Sequence, residues 1–184
     1  MPTIVAIDVE ANGLIEKDIS DPLYQPAIIE FGAIKSPWGK LSQLINPECQ
    51  ITPKVTEITG ITNEDVKGEP TFPLAFNSIA EFMTGCDVLI TFNGLGYDLP
   101  VIMFTLQKYS LQYRFPWPRY NIDLMVAATD FLNLQGKTGN KPPKLVELHM
   151  ALFGKEYDAH RAFNDAEATL NCAIALMEKG VIKL

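Results

Sequence analysis

The sequence predicts one α/β domain with a mixed sheet and helices on both faces. Three observations carry this. Short apolar runs rich in β-branched residues recur at 4–7, 26–35, 40–46, 87–92 and 120–123. Runs of that length, bounded by turn residues, read as strands. After an initial meander, strand-like and helix-like segments alternate, the pattern of layered α/β folds. The 184 residues also suffice for one sizeable core, so residues 1–184 are read as a single domain.

Taken in order, Ile4-Val5-Ala6-Ile7 is apolar on both faces and reads as a strand from the middle of a sheet. Residues 26–35 and 40–46 form a second and third strand, joined by the turn Ser36-Pro-Trp-Gly39. Residues 47–73 read as a loop with short helical pieces, in which Thr62 caps a turn with Asp65 three residues on. An amphipathic helix over 74–83 buries Leu74, Ile79, Phe82 and Met83 and stops at Gly85. The strand 87–92 leads into the glycine-rich turn Asn93-Gly-Leu-Gly-Tyr-Asp98, and Pro100 suits the first turn of the next helix. Residues 114–119 connect to a short strand at 120–123 and a helix over 124–132. Residues 135–143 are a flexible polar loop, the one locally basic patch, before a helix over 144–153. The last helix starts between Ala159 and Asp165 and ends at Lys179-Gly180, with Ala166, Leu170, Ala173, Ile174 and Met177 on its buried face.

Composition narrows the function classes. No apolar run approaches the roughly 20 residues that span a bilayer, and MPTIVAID lacks a basic leader region. Cys49, Cys86 and Cys172 are scattered and form no CxxC pair, which argues against a disulfide framework or a zinc site and for a reducing, cytoplasmic setting. A net charge of −7 and a pI near 4.8 argue against gripping a long nucleic-acid backbone through a basic surface. They leave room for a site that holds a strand end through bound metal.

The chemistry gathers at the ends of elements. Asp8 and Glu10 close the first strand two residues apart, so they share a face. Each raises the other's pKa unless a cation lies between them. All-oxygen donors favour Mg²⁺ or Mn²⁺. Asp98 follows the 87–92 strand, Asp165 lies in the last helix, and His160 stands five residues before it. In open α/β sheets such strand ends converge. Two metals about 3.5–4 Å apart need several carboxylates in one cleft, and an imidazole can take a proton from water at neutral pH.

Three blocks carry a resemblance: AIDVEANG, ITFNGLGYDLPVI and AHRAFNDAEATLNC. In order and separation they are similar to the three motifs of the DEDDh 3′–5′ exonuclease superfamily, which includes the proofreading subunit of bacterial DNA polymerase III, ribonuclease T and oligoribonuclease. PAIIEFGAI and INPECQITPKVTEITGITNED also look like that family, so the likeness covers nearly the whole chain. It implies a ribonuclease H-like fold with a mixed sheet of five strands. It also implies removal of nucleotides from a 3′ end with two Mg²⁺ or Mn²⁺ ions.

Carried over residue by residue, Asp8 would bridge the ions and Glu10 and Asp165 would complete one site. Asp98 would act mainly through the second ion's waters, and His160 would be the general base. Leu14 sits where the family places an apolar side chain against the terminal base, and Ala11 and Asn93 are assigned to substrate binding. Two departures bear on substrate. Ala11 replaces the threonine whose hydroxyl usually approaches the 3′-OH, leaving only its backbone N–H. The second block has an extra residue before Asp98, and Tyr97 where Phe is common, a spacing that resembles the exonuclease domains of replicative polymerases.

The resemblance implies a stand-alone exonuclease on the 3′ end of single-stranded DNA that releases nucleoside 5′-monophosphates. The alternatives are an exoribonuclease, a proofreading subunit working inside a polymerase complex, and an inactive nucleic-acid-binding scaffold of the same fold. No long tail follows the last helix to tether a polymerase, which favours the free enzyme; a homodimer stays open. Other residues read as structural: His149 on an amphipathic helix, Asp123 as a helix start, Glu30 as a hydrogen-bonding group, and Trp38 and Trp117 as cover for the core rim.

Overall fold

The structure is a computed structural model that describes residues 2–183 apart from Trp38 and Thr138. The expectation for Trp38 lies outside the described residues. A sheet of five strands forms the centre, in the order β3-β2-β1-β4-β5. The strands are β1 (Ile4–Ala11), β2 (Ile28–Ser36), β3 (Lys40–Leu44), β4 (Val88–Thr91) and β5 (Tyr120–Asp123). β1, β2 and β3 pair antiparallel as a meander. β4 and β5 run parallel to β1. Three strands therefore end at the same edge.

Alternation along β1 divides the molecule. Val5, Ile7, Val9 and Ala11 face one core, built with α3 (Phe72–Met83) and α4 (Asp98–Lys108). Ile4 and Ala6 face the other, built with α5 (Leu124–Leu132), α6 (Leu145–Phe153) and α7 (Ala162–Glu178). A smaller cluster joins Ile29 of β2 to Ile51, Ile61 and Val66. It sits beside α1 (Pro53–Thr59) and α2 (Asn63–Val66). Thr62 caps α2 with the reciprocal Thr62–Asp65 bonds expected from sequence.

Several boundaries differ from the sequence reading. α3 begins at Phe72, with Pro73 in its first turn, so its buried face is Phe72, Ala75, Phe76, Ile79 and Met83. Leu74 is 74% exposed, because it lies on the opposite side of the helix from that row. α4 begins at Asp98, which puts Pro100 in its first turn as expected. On α7, Ala166, Leu170 and Ala173 are buried as expected, but Ile174 is exposed; Ala168, Thr169, Cys172 and Leu176 complete the stripe. The polar loop 135–143 contains a two-stranded ribbon, β6 (Gln135–Gly136) with β7 (Gly139–Asn140). Trp117 packs 4.5 Å from Phe115 at the rim of the first core, as expected.

One close approach places α7. Gly32 of β2 lies opposite Asp8. A Cβ there would meet the Ala162 carbonyl carbon at 2.2 Å and the Phe163 nitrogen at 2.3 Å. Only glycine lets the first turn of α7 settle on the sheet here. That contact brings Asp165 over the end of β1.

Candidate active site

β1 outruns its parallel neighbour. Its pairing with β4 ends at Ala6 and Ile90, while β1 continues to Ala11. Asp8 and Glu10 stand on this overhang, partly exposed and on the face that carries α7. Asp165 comes down from the first turn of α7. One donor oxygen from each of Asp8, Glu10 and Asp165 lies within 4.8 Å of the others.

Asp98 lies outside that group of three. It is 4% exposed. Its Oδ1 accepts the Val9 N–H at 2.9 Å. β4 has ended by this point, so that N–H has no strand partner on this side, and Asp98 supplies one. The acid thus joins the start of α4 to the overhang of β1.

The electrostatics are those of crowded acids. Burial pushes the Asp8 carboxyl well above the usual range, and the charges of Asp98, Asp165, Glu10 and Glu30 push it further. Glu10 is raised to about 8, by burial first and then by Asp165, Glu30 and Asp98, with Arg161 opposing. Asp98 is raised to about 7 by burial, against the Val9 N–H bond. Burial also raises Asp165, opposed by hydrogen bonds from Tyr157 and His160. All-oxygen donors that repel one another when ionised fit a hard divalent cation.

His160 is exposed, with φ at 68° in the left-handed region. Its backbone N–H donates to Asp165 Oδ2 at 3.1 Å. The next residue anchors the turn: Arg161 Nε and Nη2 donate to Glu30 Oε2 and Oε1 at 3.0 and 2.8 Å. The Ala162 N–H adds a third bond to Glu30 at 2.9 Å. Glu30 is fully buried on β2, so the hydrogen-bonding role expected for it is met by three donors.

The remaining sequence candidates separate into platform and frame. Leu14 is 80% exposed on the loop after β1. Tyr97 Oη donates to Gly13 O at 2.7 Å and ties that loop down. Ala11 is buried at a register shift between β1 and β2. Asn93 is exposed, with φ at 62°, and its N–H donates to Asp123 Oδ1 at 2.8 Å. Asp123 also accepts the Leu95 and Met125 N–H groups, which joins the turn to the start of α5. His149 is buried, with Nδ1 2.9 Å from Lys155 O. Both behave as the structural residues the sequence implies.

Two groups escaped the sequence reading. Tyr157 Oη donates to Asp165 Oδ1 at 2.6 Å, and Arg161 holds Glu30. For Arg161 a signal existed: a buried strand glutamate needs a cation, and an arginine adjoins the motif histidine. For Tyr157 spacing alone offers none.

The exonuclease family model RNase_T matches residues 5–173. The chain belongs to this exonuclease family. Among its relatives, the 3′-5′ exonuclease DinG of Bacillus subtilis is 29% identical over 177 residues, covering 95% of this chain and 18% of DinG. The DNA polymerase III subunit epsilon of Aquifex aeolicus is 29% identical over 184 residues, covering 96% of this chain and 81% of that subunit. The chain spans only 10% to 27% of the longer curated relatives it matches. The nuclease domain of 3′hExo, a DEDDh family member bound to rAMP, superposes with a TM-score of 0.75 at 22% identity. That match covers 97% of this chain and 93% of the 3′hExo domain. The exonuclease fold here is therefore the ribonuclease H-like fold of DEDDh domains. No helix among the described residues is long and apolar enough to cross a membrane.

Proposed function

We propose that this chain is a metal-dependent 3′–5′ exonuclease that trims single-stranded DNA and releases nucleoside 5′-monophosphates. The observation that carries the reading is the meeting of Asp8, Glu10 and Asp165 at the overhanging end of β1, in a chain of the exonuclease family.

Asp8, Glu10 and Asp165 would hold divalent cations, with Asp98 buried beside them. Two Mg²⁺ or Mn²⁺ ions there would supply Lewis-acid stabilisation of the phosphate oxygens and the departing 3′-oxygen. His160, exposed at the mouth of the cluster, takes the proton of the attacking water. Its backbone is fixed by Asp165 and its neighbour by Glu30, so the imidazole works from a rigid turn. Leu14 offers an apolar surface to the terminal base, a contact tolerant of sequence. Ala11, through its backbone N–H, and Asn93 would contact the 3′-terminal nucleotide. The net charge of −7 suits recognition of a strand end over a long backbone.

An RNA substrate is the close second reading, favoured by the likeness to a domain bound to rAMP. A proofreading subunit is the other, favoured by the match along 81% of the epsilon subunit. The free cysteines Cys49, Cys86 and Cys172 suit a reducing, cytoplasmic setting.

The test uses 5′-labelled single-stranded DNA and RNA side by side, with Mg²⁺, Mn²⁺ or EDTA. The expected result is a ladder shortening from the 3′ end, faster on DNA and abolished by EDTA. Folded protein that shortens neither strand would refute the reading. Faster loss of RNA would move the substrate to the second reading.

A further inference from the structure

Asp165 is held from two sides. Its Oδ2 accepts the His160 N–H at 3.1 Å and its Oδ1 accepts the Tyr157 hydroxyl at 2.6 Å. The backbone bond is local to the turn. The phenol arrives from the segment between α6 and α7, eight residues away.

Tyr157 is itself fixed by packing. Its ring lies 4.9 Å from the His149 ring, tilted by 54°. His149 is 5% exposed and anchored through Nδ1 to Lys155 O at 2.9 Å. Phe153 also packs against the His149 ring, at 4.7 Å. The packing of Phe153 and Tyr157 on His149 holds one hydroxyl against one carboxylate.

The geometry leaves the carboxylate free to bind an ion. An ionised carboxylate offers about four lone-pair positions. Two hydrogen bonds, one on each oxygen, leave one position per oxygen. Groups that hydrogen-bond a ligating side chain fix its orientation and tune its affinity.

We infer that Tyr157 is a positioning residue, whose hydroxyl fixes the Asp165 carboxylate in the orientation that lets it share a divalent cation with Asp8 and Glu10. The inference rests on the reading of that cluster as a metal site. It names a residue outside the four motif acids and the histidine, and it has a signed consequence. A positioning hydroxyl strengthens ion binding, whereas a hydroxyl that merely occupies the carboxylate weakens it.

Tyr157→Phe keeps the ring on His149 and removes only the hydroxyl. The experiment measures Mn²⁺ binding without nucleic acid, by the electron paramagnetic resonance signal of free Mn²⁺, for wild type, Tyr157→Phe and Asp165→Asn. The Mn²⁺ dependence of kcat and KM on labelled DNA is read alongside. The expected result is Mn²⁺ affinity weakened about tenfold or more in Tyr157→Phe, with kcat recovering as Mn²⁺ is raised and KM for DNA little changed. Equal or tighter Mn²⁺ binding by Tyr157→Phe, in wild type that binds normally, would overturn the inference and leave the metal site standing. Wild type that takes up no Mn²⁺ would overturn both.

Discussion

Glu30 and Arg161, 131 residues apart in the chain, are joined by two parallel hydrogen bonds of 3.0 and 2.8 Å. The pair fastens the start of α7 to β2, and so fixes where His160 and Asp165 stand relative to β1. Its strength is asymmetric. Glu30 is fully buried, while the Arg161 side chain is 44% exposed. Removing the arginine leaves a buried charge with only the Ala162 N–H and a long contact to Ser42. Arg161→Ala should therefore cost about 2–3 kcal/mol, below the range for a fully buried pair because half of the arginine meets water. A urea midpoint unchanged from wild type would contradict this.

Gly32 holds the same joint by absence of a side chain. A Cβ there meets backbone atoms of Ala162 and Phe163 at 2.2–2.3 Å, and backbone cannot rotate away. Gly32→Ala should destabilise by about 1–3 kcal/mol or more. It should also weaken Mn²⁺ binding, since α7 must lift and carry Asp165 with it. Wild-type stability together with wild-type Mn²⁺ affinity would show that α7 is placed by other contacts.

The parts legible in the sequence are those with local signals. The five strands and α5 were readable from apolar runs, the α2 cap from Thr62 and Asp65, and the helix stop from Gly85, whose φ is +74°. The acid blocks were readable from residue type and spacing. The illegible parts depend on register or on distance in the chain. Whether Asp98 meets Val9 depends on where β1 outruns β4, which no local pattern encodes. Tyr157 reaches Asp165 from the segment between α6 and α7, with its ring tilted against His149. Leu74 is out of step with Ile79 and Met83 at a period of 3.6, and Ile174 lies at the margin of a face whose edges periodicity leaves undefined.

The crowding of acids gives the metal-free protein a pH dependence with a definite sign. Glu10 rises from an ordinary 4.5 to about 8, so the native state holds a proton that the unfolded chain has released. Stability from this group is fully present below about pH 4.5 and is lost as pH rises through about 8. Asp98, raised to about 7, acts in the same direction. In EDTA the melting temperature should fall between about pH 5 and pH 8, and less steeply in Glu10→Gln. Mg²⁺ should restore more stability at the upper end of that window. A melting temperature that rises across it, or identical slopes for the two proteins, would contradict the account.

His160 separates proton transfer from ion binding. Its side chain is exposed, and the bond it gives to Asp165 comes from its backbone. His160→Ala should lower kcat by about 10²–10⁴ while leaving Mn²⁺ affinity near wild type. A turnover rate equal to wild type would remove it as the base.

The central claim is that the acids at the end of β1 perform hydrolysis from a 3′ end. Asp8→Ala tests it most directly, assayed beside wild type on 5′-labelled single-stranded DNA with Mg²⁺, with melting curves for both proteins. The account predicts that wild type yields a descending ladder, while Asp8→Ala melts cooperatively and leaves the strand at full length. An Asp8→Ala protein that shortens the strand at the wild-type rate would contradict it.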